Sequence, residues 1–193
     1  NTIVAFTSEH GDLLGDHGIL QKSMLYEEAI KVPLMLRAPW LGTEGRIVKG
    51  RVSHVDLAPT LLDLMGEPLP PQLQGESRVP VLRGQSSLDG NDVVVQWHDP
   101  PGRDHARHTM TVPEDEMSQL AGMPWRTIIS GDGWKLNVSA GDQCELHDLN
   151  ADPYEQVNLF DEPSQQDRVR DLASRLSAWQ ERTGDTAPLP AVR

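Results

Sequence analysis

Residues 2–28 read TIVAFTSEHGDLLGDHGILQKSMLYEE, an apolar run followed directly by a loop rich in glycine, histidine and carboxylates. The run Thr2–Phe6 is continuous and ends at a loop signal, which is typical of a strand buried on both faces of a sheet. The chain enters this run without a capping or solvating lead-in. We therefore expect these residues to be the C-terminal part of a longer protein, whose missing N-terminal part completes the sheet.

Composition and charge narrow the class of protein. The chain has 193 residues, of which 37% are hydrophobic and 24% are charged, as in globular proteins with a core. Its formal net charge is −12, from 29 acidic and 17 basic residues. A protein that binds nucleic acid or an anionic membrane needs a basic face instead. No apolar run approaches the roughly 18 residues of a membrane span. We therefore expect neither nucleic acid nor a membrane as a partner.

The first half of the chain alternates strand and helix signals. A second apolar strand is predicted at residues 32–37, and a helix is predicted at residues 53–65, with Ser53 or Asp56 as N-cap and Gly66 as C-cap. The predicted buried stripe of this helix consists of apolar residues: Val55, Leu57, Leu61, Leu62, Leu64 and Met65. Residues 67–92 are rich in Pro, Gly, Ser and Gln, which predicts a long surface connection.

The second half predicts a small antiparallel sheet closed by a helix. A strand at residues 93–97 precedes a polar, irregular stretch, 98–122, which we interpret as a loop or insertion that carries His98, His105 and His108. Alternating patterns then predict a meander at residues 125–129, 134–138 and 144–149. Apolar residues recur at helical spacing between residues 164 and 182: Val169, Leu172, Ala173, Leu176 and Trp179.

This order of elements predicts an α/β portion followed by an α+β subdomain, with the boundary between residues 92 and 93. The lone Cys144 excludes an internal disulfide. We predict that it is a small buried residue on a strand of the meander.

Glu9 and His10 follow the first strand at once, at the end where open α/β sheets bind ligands. A carboxylate beside an imidazole offers oxygen and nitrogen donors to one divalent cation, and Gly11 lets the backbone turn away. A loop that folds back would bring the Lys22 ammonium over this site, where it neutralises an anionic ester oxygen. The residues alone leave a second interpretation open, in which Glu9 and His10 form a hydrogen-bonded turn and Lys22 is a solvated surface charge.

The ordered combination of motifs resembles the C-terminal half of the sulfatase family, within the alkaline-phosphatase-like superfamily. The motifs that carry the resemblance are Thr7-Ser8-Glu9-His10-Gly11, Leu14-Gly15-Asp16-His17-Gly18, Lys22, Tyr26-Glu27-Glu28 and Val32-Pro33-Leu34. Two later segments are similar to the family as well: SHVDLAPTLLDLMG, residues 53–66, and WKLNVSAGDQCELHDLNADPYEQVNL, residues 134–159. The resemblance implies that residues 1–92 end an alkaline-phosphatase-like sheet with flanking helices. It also implies that residues 93–193 form the C-terminal α+β subdomain.

The resemblance assigns a role to each candidate residue. Glu9 stands where the family has a metal-binding aspartate, His10 where it has a second ligand, and Lys22 where a lysine contacts the sulfate. The implied reaction is hydrolysis of a small-molecule sulfate ester with a divalent metal, usually calcium, and a formylglycine nucleophile. The nucleophile is expected upstream, because the motif Cys/Ser-x-Pro-x-Arg is absent here and Cys144 is followed by other residues. We therefore expect these residues alone to be inactive.

Glu9 is a departure from the family pattern, because the extra methylene moves its carboxylate by more than ~1 Å, and metal geometry is sensitive to such shifts. Two other functions stay open. A phosphonate or phosphate ester hydrolase of the same superfamily is compatible with His10 beside the acidic ligand. A non-catalytic α/β binding module would retain Glu9 as the mark of a decayed site. The sequence leaves open the organic part of the substrate, the compartment, and whether the protein forms a homo-oligomer.

Overall fold

The structure of the protein, a computed structural model, describes residues 1–22, 24–42, 44–98, 110–111, 113–141 and 143–191. The strands are β1 (Val4–Thr7), β2 (Leu34–Arg37), β3 (Val93–Trp97), β4 (Trp125–Ile129), β5 (Trp134–Val138) and β6 (Glu145–Asp148). The α-helices are α1 (Glu27–Ile30), α2 (Leu57–Met65), α3 (Val79–Leu82), α4 (Glu114–Ala121) and α5 (Gln166–Thr183). Among the described helices, none is both long enough and apolar enough to cross a bilayer.

Two compact units divide the chain. The first is built from β1, β2, α2 and α3, and the second from the loop at residues 7–33, α5 and most of the sheet β3–β6. The domain boundary predicted between residues 92 and 93 stays a prediction.

β1 pairs with β2 in a two-stranded sheet, so both strands predicted in the first half are present. The prediction that β1 is buried on both faces is wrong, because Val4 and Phe6 are 51% and 56% exposed. In the part of the chain that the structure describes, β2 is the strand that pairs with β1, and a two-stranded ribbon leaves apolar side chains in solvent. The buried apolar contacts of this unit instead gather around Ala38, Leu64 and Val79.

The predicted helix over residues 53–65 is confirmed, with both of its caps. A turn of 3-10 helix at His54–Asp56 leads into α2, and Ser53 and Asp56 form a capping box. Gly66 ends the helix at φ +77°, a backbone conformation that favours glycine.

The predicted buried stripe of this helix is only partly correct. Leu64 is buried, but Val55 and Met65 are both exposed. The buried position on this turn belongs instead to Asp56, whose carboxylate accepts a hydrogen bond from the Arg78 side chain at 2.8 Å and pairs with it at 2.7 Å. A buried ion pair of this kind is invisible to hydrophobic periodicity, because its partner lies outside the helix.

Two helices lie where loops were predicted. α3 falls within residues 67–92 and buries Val79 and Val81, and α4 falls within residues 98–122 and begins with three acidic residues. A four-residue helix is too short to show a period. The three acidic residues at the start of α4 interact favourably with the helix dipole, which a search for apolar periodicity does not detect. His105 and His108 lie outside the described residues.

The meander and the last helix are confirmed in the second unit. The strand order is β3-β4-β5-β6, and β4, β5 and β6 pair antiparallel, with Ile128 opposite Leu136 and Leu136 opposite Leu146. α5 packs its apolar stripe onto this face of the sheet, through Val169, Leu172 and Leu176. The Cys144 thiol is buried in the same core, as predicted, but it lies one residue before β6 rather than on a strand.

Candidate metal and anion site

The chain turns sharply at residues 9–11, directly after β1, and hydrogen bonds to backbone groups fix this turn. Ser8 Oγ donates to the carbonyl oxygen of His10 at 2.7 Å, and the backbone N–H of Gly11 donates to the carbonyl oxygen of Ala29 at 2.7 Å. A Cβ atom on Gly11 would lie 1.9 Å from the carbonyl oxygen of Glu28, so any other residue would push α1 away. Glycine at this position therefore lets the residue 9–11 turn lie directly against α1.

The tautomer of His10 follows from its hydrogen bonds. Nδ1 lies 2.7 Å from the carbonyl oxygen of Gly11. Because a carbonyl oxygen can only accept, Nδ1 carries the proton, and Nε2 of the neutral ring keeps its lone pair. The Lys22 ammonium donates to this Nε2, and Glu9 Oε1 lies 3.5 Å from the same nitrogen. The three predicted site residues thus lie together at the end of β1.

Glu9 is the solvent-facing member of this group, with a side chain that is 81% exposed. The pKa of its carboxyl lies below its usual value, first because its own backbone N–H donates to it and next because the adjacent His10 ring attracts the carboxylate whenever that ring is protonated. Ser8 Oγ and the charge of Lys22 lower the pKa further. The carboxylate is consequently ionised at neutral pH, as a cation ligand must be.

Backbone hydrogen bonds close the loop between His10 and Lys22, and several of its residues adopt the left-handed backbone conformation that sharp turns require. Leu13 N–H donates to the carbonyl oxygen of Gln21 at 2.7 Å, which brings the end of the loop back to its start. His17 has φ +55°, and its ring stacks on Tyr26 with centroids 3.7 Å apart. The loop packs around Leu13, which is fully buried, so Lys22 returns to His10 on a folded support rather than on a free chain.

Glu9 and His10 fit a divalent cation as a partial ligand set. They supply one carboxylate and one imidazole nitrogen, which are donors that several divalent metals accept. Among the described residues, no group of three or more His, Cys, Asp or Glu side chains is placed to hold a metal ion. The lone pair of His10 Nε2 cannot serve a metal and Lys22 at once, so a cation bound there displaces the ammonium.

Comparison with known proteins identifies the family. Residues 15–121, more than half of the chain, match the family model described as N-sulphoglucosamine sulphohydrolase, C-terminal. The chain belongs to the sulfatase family. The match covers Lys22 and the Tyr26-Glu27-Glu28 segment of this sulfatase chain.

The similar proteins are much longer than this sulfatase chain. Arylsulfatase K of Mus musculus is 33% identical over 161 residues, which are 83% of this chain and 27% of the mouse protein. A solved structure in complex with its substrate D-glucosamine-2-N,6-O-disulfate has a TM-score of 0.79 at 27% identity, over 97% of this chain and 35% of the other. The phosphonate monoester hydrolase of Agrobacterium radiobacter has a TM-score of 0.74 at 26% identity, over 94% and 35%. The chain thus spans about a third of the length of these proteins and matches their fold.

The contacts that fix α1, next to this site, on strands β5 and β6 were not predicted from the sequence. Glu27 in α1 lies 3.7 Å from the buried Lys135 ammonium of β5, and Tyr26 donates to Glu145 of β6 at 3.0 Å. The available signal was the Tyr26-Glu27-Glu28 motif itself, which places a phenol just before α1 and two carboxylates in its first turn. A sequence pattern gives no partner for these groups, because the partners lie more than a hundred residues away.

Proposed function

We propose that the protein containing this chain hydrolyses small-molecule sulfate esters. Glu9 and His10 are two ligands of a divalent metal, calcium in this proposal, and Lys22 contacts the sulfate group. The observation that carries the proposal is the convergence of these three side chains at the end of β1, around His10 Nε2. Membership of the sulfatase family supports the same assignment.

The charges of the site suit the chemistry of a sulfate ester. Such an ester is a weakly basic anion, so its binding and cleavage need concentrated positive charge around the ester oxygens. A bound divalent metal supplies Lewis-acid stabilisation of those oxygens and activation of the nucleophile. Lys22 supplies a second positive charge, and its ammonium can donate to an anionic oxygen once a cation occupies His10 Nε2.

The nucleophile belongs to a different segment in this proposal. Cys144 is buried in the core beneath α5, away from solvent, and lacks the modification motif. A formylglycine upstream of residue 1 completes the site, together with further oxygen ligands, because calcium prefers six to eight. The 193 residues therefore contribute a metal half-site and an anion contact rather than a complete centre.

A phosphonate or phosphate ester hydrolase is the second candidate. The similarity to a phosphonate monoester hydrolase over 94% of the chain favours it. The same charges serve both reactions, since both substrates are anionic esters with oxygens that a metal and a lysine can hold.

The deciding experiment uses the complete protein, assayed with 4-nitrophenyl sulfate and with a 4-nitrophenyl phosphonate monoester, with and without added calcium. A larger kcat/KM for the sulfate ester, lost in the His10→Ala variant, supports the proposal. A larger kcat/KM for the phosphonate ester favours the second candidate. Absence of metal binding and of both activities would leave the non-catalytic binding module as the function.

A further inference from the structure

The sheet β4–β6 buries its polar face as well as its apolar face. Successive residues of a strand point to opposite faces, so Lys135 and Asn137 lie on the side opposite Leu136. Thr127 lies across from Asn137, and His147 lies across from Lys135. All four polar residues are almost fully buried, and Lys135 is 0% exposed. A polar sheet face normally meets water, so another part of the chain must cover this one.

α1 is one element that covers this face, through an ion cluster. The Lys135 ammonium lies 2.7 Å from Glu155 Oε1 and 3.7 Å from Glu27 Oε1. Glu155 Oε2 in turn accepts the backbone N–H of Glu27, the first residue of α1, at 2.6 Å. Glu155 itself is held at φ +52°, an unusual conformation for a residue other than glycine. The start of α1 is thereby tied to β5 and to the segment after β6.

A second contact ties the residue before α1 to the same face. Tyr26 Oη donates to Glu145 Oε1 at 3.0 Å, and Asn137 Nδ2 donates to Glu145 Oε2 at 2.9 Å. Burial by itself raises the pKa of Glu145, but the contacts with His147, Asn137 and Tyr26 outweigh it and lower the pKa below its usual value. The carboxylate is therefore ionised and accepts the Tyr26 hydrogen bond at neutral pH.

α1 transmits its position to His10 through one residue. The carbonyl oxygen of Ala29, in α1, accepts the Gly11 N–H, and the backbone at Gly11 has no room for even a Cβ atom against Glu28. The carbonyl oxygen of Gly11 then accepts the proton of His10 Nδ1. A shift of α1 relative to the sheet would therefore move Gly11, and with it the ring whose Nε2 meets Lys22.

We propose that Lys135, with Glu27 and Glu155, is a positioning cluster that holds His10 and Lys22 in their productive arrangement. The cluster touches neither the metal nor the substrate in this proposal and acts through α1 and Gly11. The expected effect of the cluster on turnover rests on the proposed function. The expected effect of the cluster on the geometry of His10 does not depend on that function.

Matched variants separate positioning from general stability. Glu27→Gln removes one carboxylate charge beside the Lys135 ammonium while keeping the size of the side chain. Asp185→Asn makes the same change in another ion pair of this sheet, where Asp185 meets Arg126 of β4 at 2.6 Å. The partners described for these two residues lie outside α1. Lys135→Met removes the cation of the cluster and serves as the stronger variant. Should Lys135→Met fail to fold, Glu27→Gln decides the question.

The first readout is the imidazole ¹⁵N and ¹H signals of His10 in the complete protein, identified by their loss in His10→Gln. We expect Glu27→Gln and Lys135→Met to shift these signals, and Asp185→Asn to leave them in place while lowering the melting temperature. The second readout is turnover of a sulfate ester at a temperature where every variant is folded. We expect kcat to fall on the order of tenfold in Glu27→Gln with little change in KM, since a small misplacement of catalytic groups has effects of this size or larger.

Unshifted His10 signals in folded Glu27→Gln would overturn the positioning role, as would an equal shift in Asp185→Asn. A wild-type protein without sulfatase turnover would refute the proposed function but not this inference, because the His10 signals report the geometry directly. Shifted His10 signals together with unchanged kcat in an active enzyme would also overturn it, since the cluster would then position nothing that turnover needs.

Discussion

The Lys22 ammonium donates a hydrogen bond to Nε2 of His10, although Lys22 lies twelve positions later in the chain. The other ring nitrogen is committed to the carbonyl oxygen of Gly11, so Nε2 holds the only lone pair of the imidazole. A cation held by Nε2 would therefore have to displace the Lys22 ammonium from this nitrogen. In the proposed function, the metal and the displaced ammonium would offer two positive charges to one anionic ester group.

Lys22→Ala in the complete enzyme should lower kcat for a sulfate ester by a factor on the order of 10² or more. A preorganised charge aimed at the transferred group has effects of this size. The melting temperature should hardly change, because Lys22 is partly exposed and lies outside the buried apolar cluster of its loop. Lys49→Ala, at an exposed lysine of the other unit, is the matched control and should leave both quantities unchanged. Full turnover in Lys22→Ala would make Lys22 a solvated surface charge.

Glu9→Ala in the complete enzyme should abolish metal occupancy, whereas Glu9→Asp should keep or improve it, since aspartate is the family's residue at this position. Calorimetric calcium titration of both variants measures this directly. Calcium affinity should also fall as the pH drops through the lowered pKa of Glu9, because only the ionised carboxylate binds the metal. Calcium affinity in Glu9→Ala equal to that of wild type would remove Glu9 from the metal site.

The exposed apolar side chains of β1 and β2 should make the isolated chain associate. Val4, Phe6, Leu34 and Met35 are all exposed on this two-stranded sheet, and contiguous apolar surface promotes contacts between molecules. Light scattering over a concentration series should show particles larger than a monomer. The double variant Phe6→Ser/Met35→Ser should reduce association, whereas Val157→Ser, at an exposed valine of the other unit, should not. A dye-silent monomer at all concentrations would contradict this expectation.

Asp185 should contribute stability that depends on pH in the acid range. Hydrogen bonds from Arg126, first, and from Gln180 lower the pKa of Asp185 from 3.8 to about 2. The unfolded chain takes up this proton at a higher pH than the folded chain does. The stabilisation is therefore complete above pH ~4 and is lost as the pH falls through ~2. Chemical denaturation should show a lower free energy of unfolding for Asp185→Asn at neutral pH, with the difference from wild type closing between pH ~4 and ~2. A constant difference over that range would mean that the pKa of Asp185 is not lowered.

The 193 residues alone should hydrolyse neither aryl sulfates nor phosphate esters. The one thiol is buried, and the sequence contains neither the formylglycine motif nor a Gly-x-Ser-x-Gly elbow. Weak calcium binding at best is expected, because two protein ligands satisfy a small part of its coordination. Nitrophenyl sulfate turnover by the purified chain, persisting after removal of contaminating hydrolases, would show that a nucleophile lies within these residues.

Local sequence patterns were sufficient to predict a helix or strand where that element packs against one neighbouring element through a single apolar face. α5 was predicted because Val169, Leu172 and Leu176 recur at the helical period and all pack on the sheet. The meander was predicted from strand alternation and turn residues, and the end of α2 from Gly66. The short helix α3 escaped prediction because four residues are too few to show a period.

The sequence by itself determined these elements, the family resemblance, and the placement of Glu9 and His10 directly after a strand. Only the tertiary structure decided which side chains meet. Lys135 stands between Trp134 and Leu136, where alternation alone predicts a solvent-facing lysine, yet it is fully buried and its ammonium meets Glu27 of α1 and Glu155. Its burial depends on partners that lie 108 residues before it and 20 residues after it, and no local pattern encodes such pairings. Alternation specifies which face of a strand is polar, and the packing of the rest of the chain decides whether that face meets water.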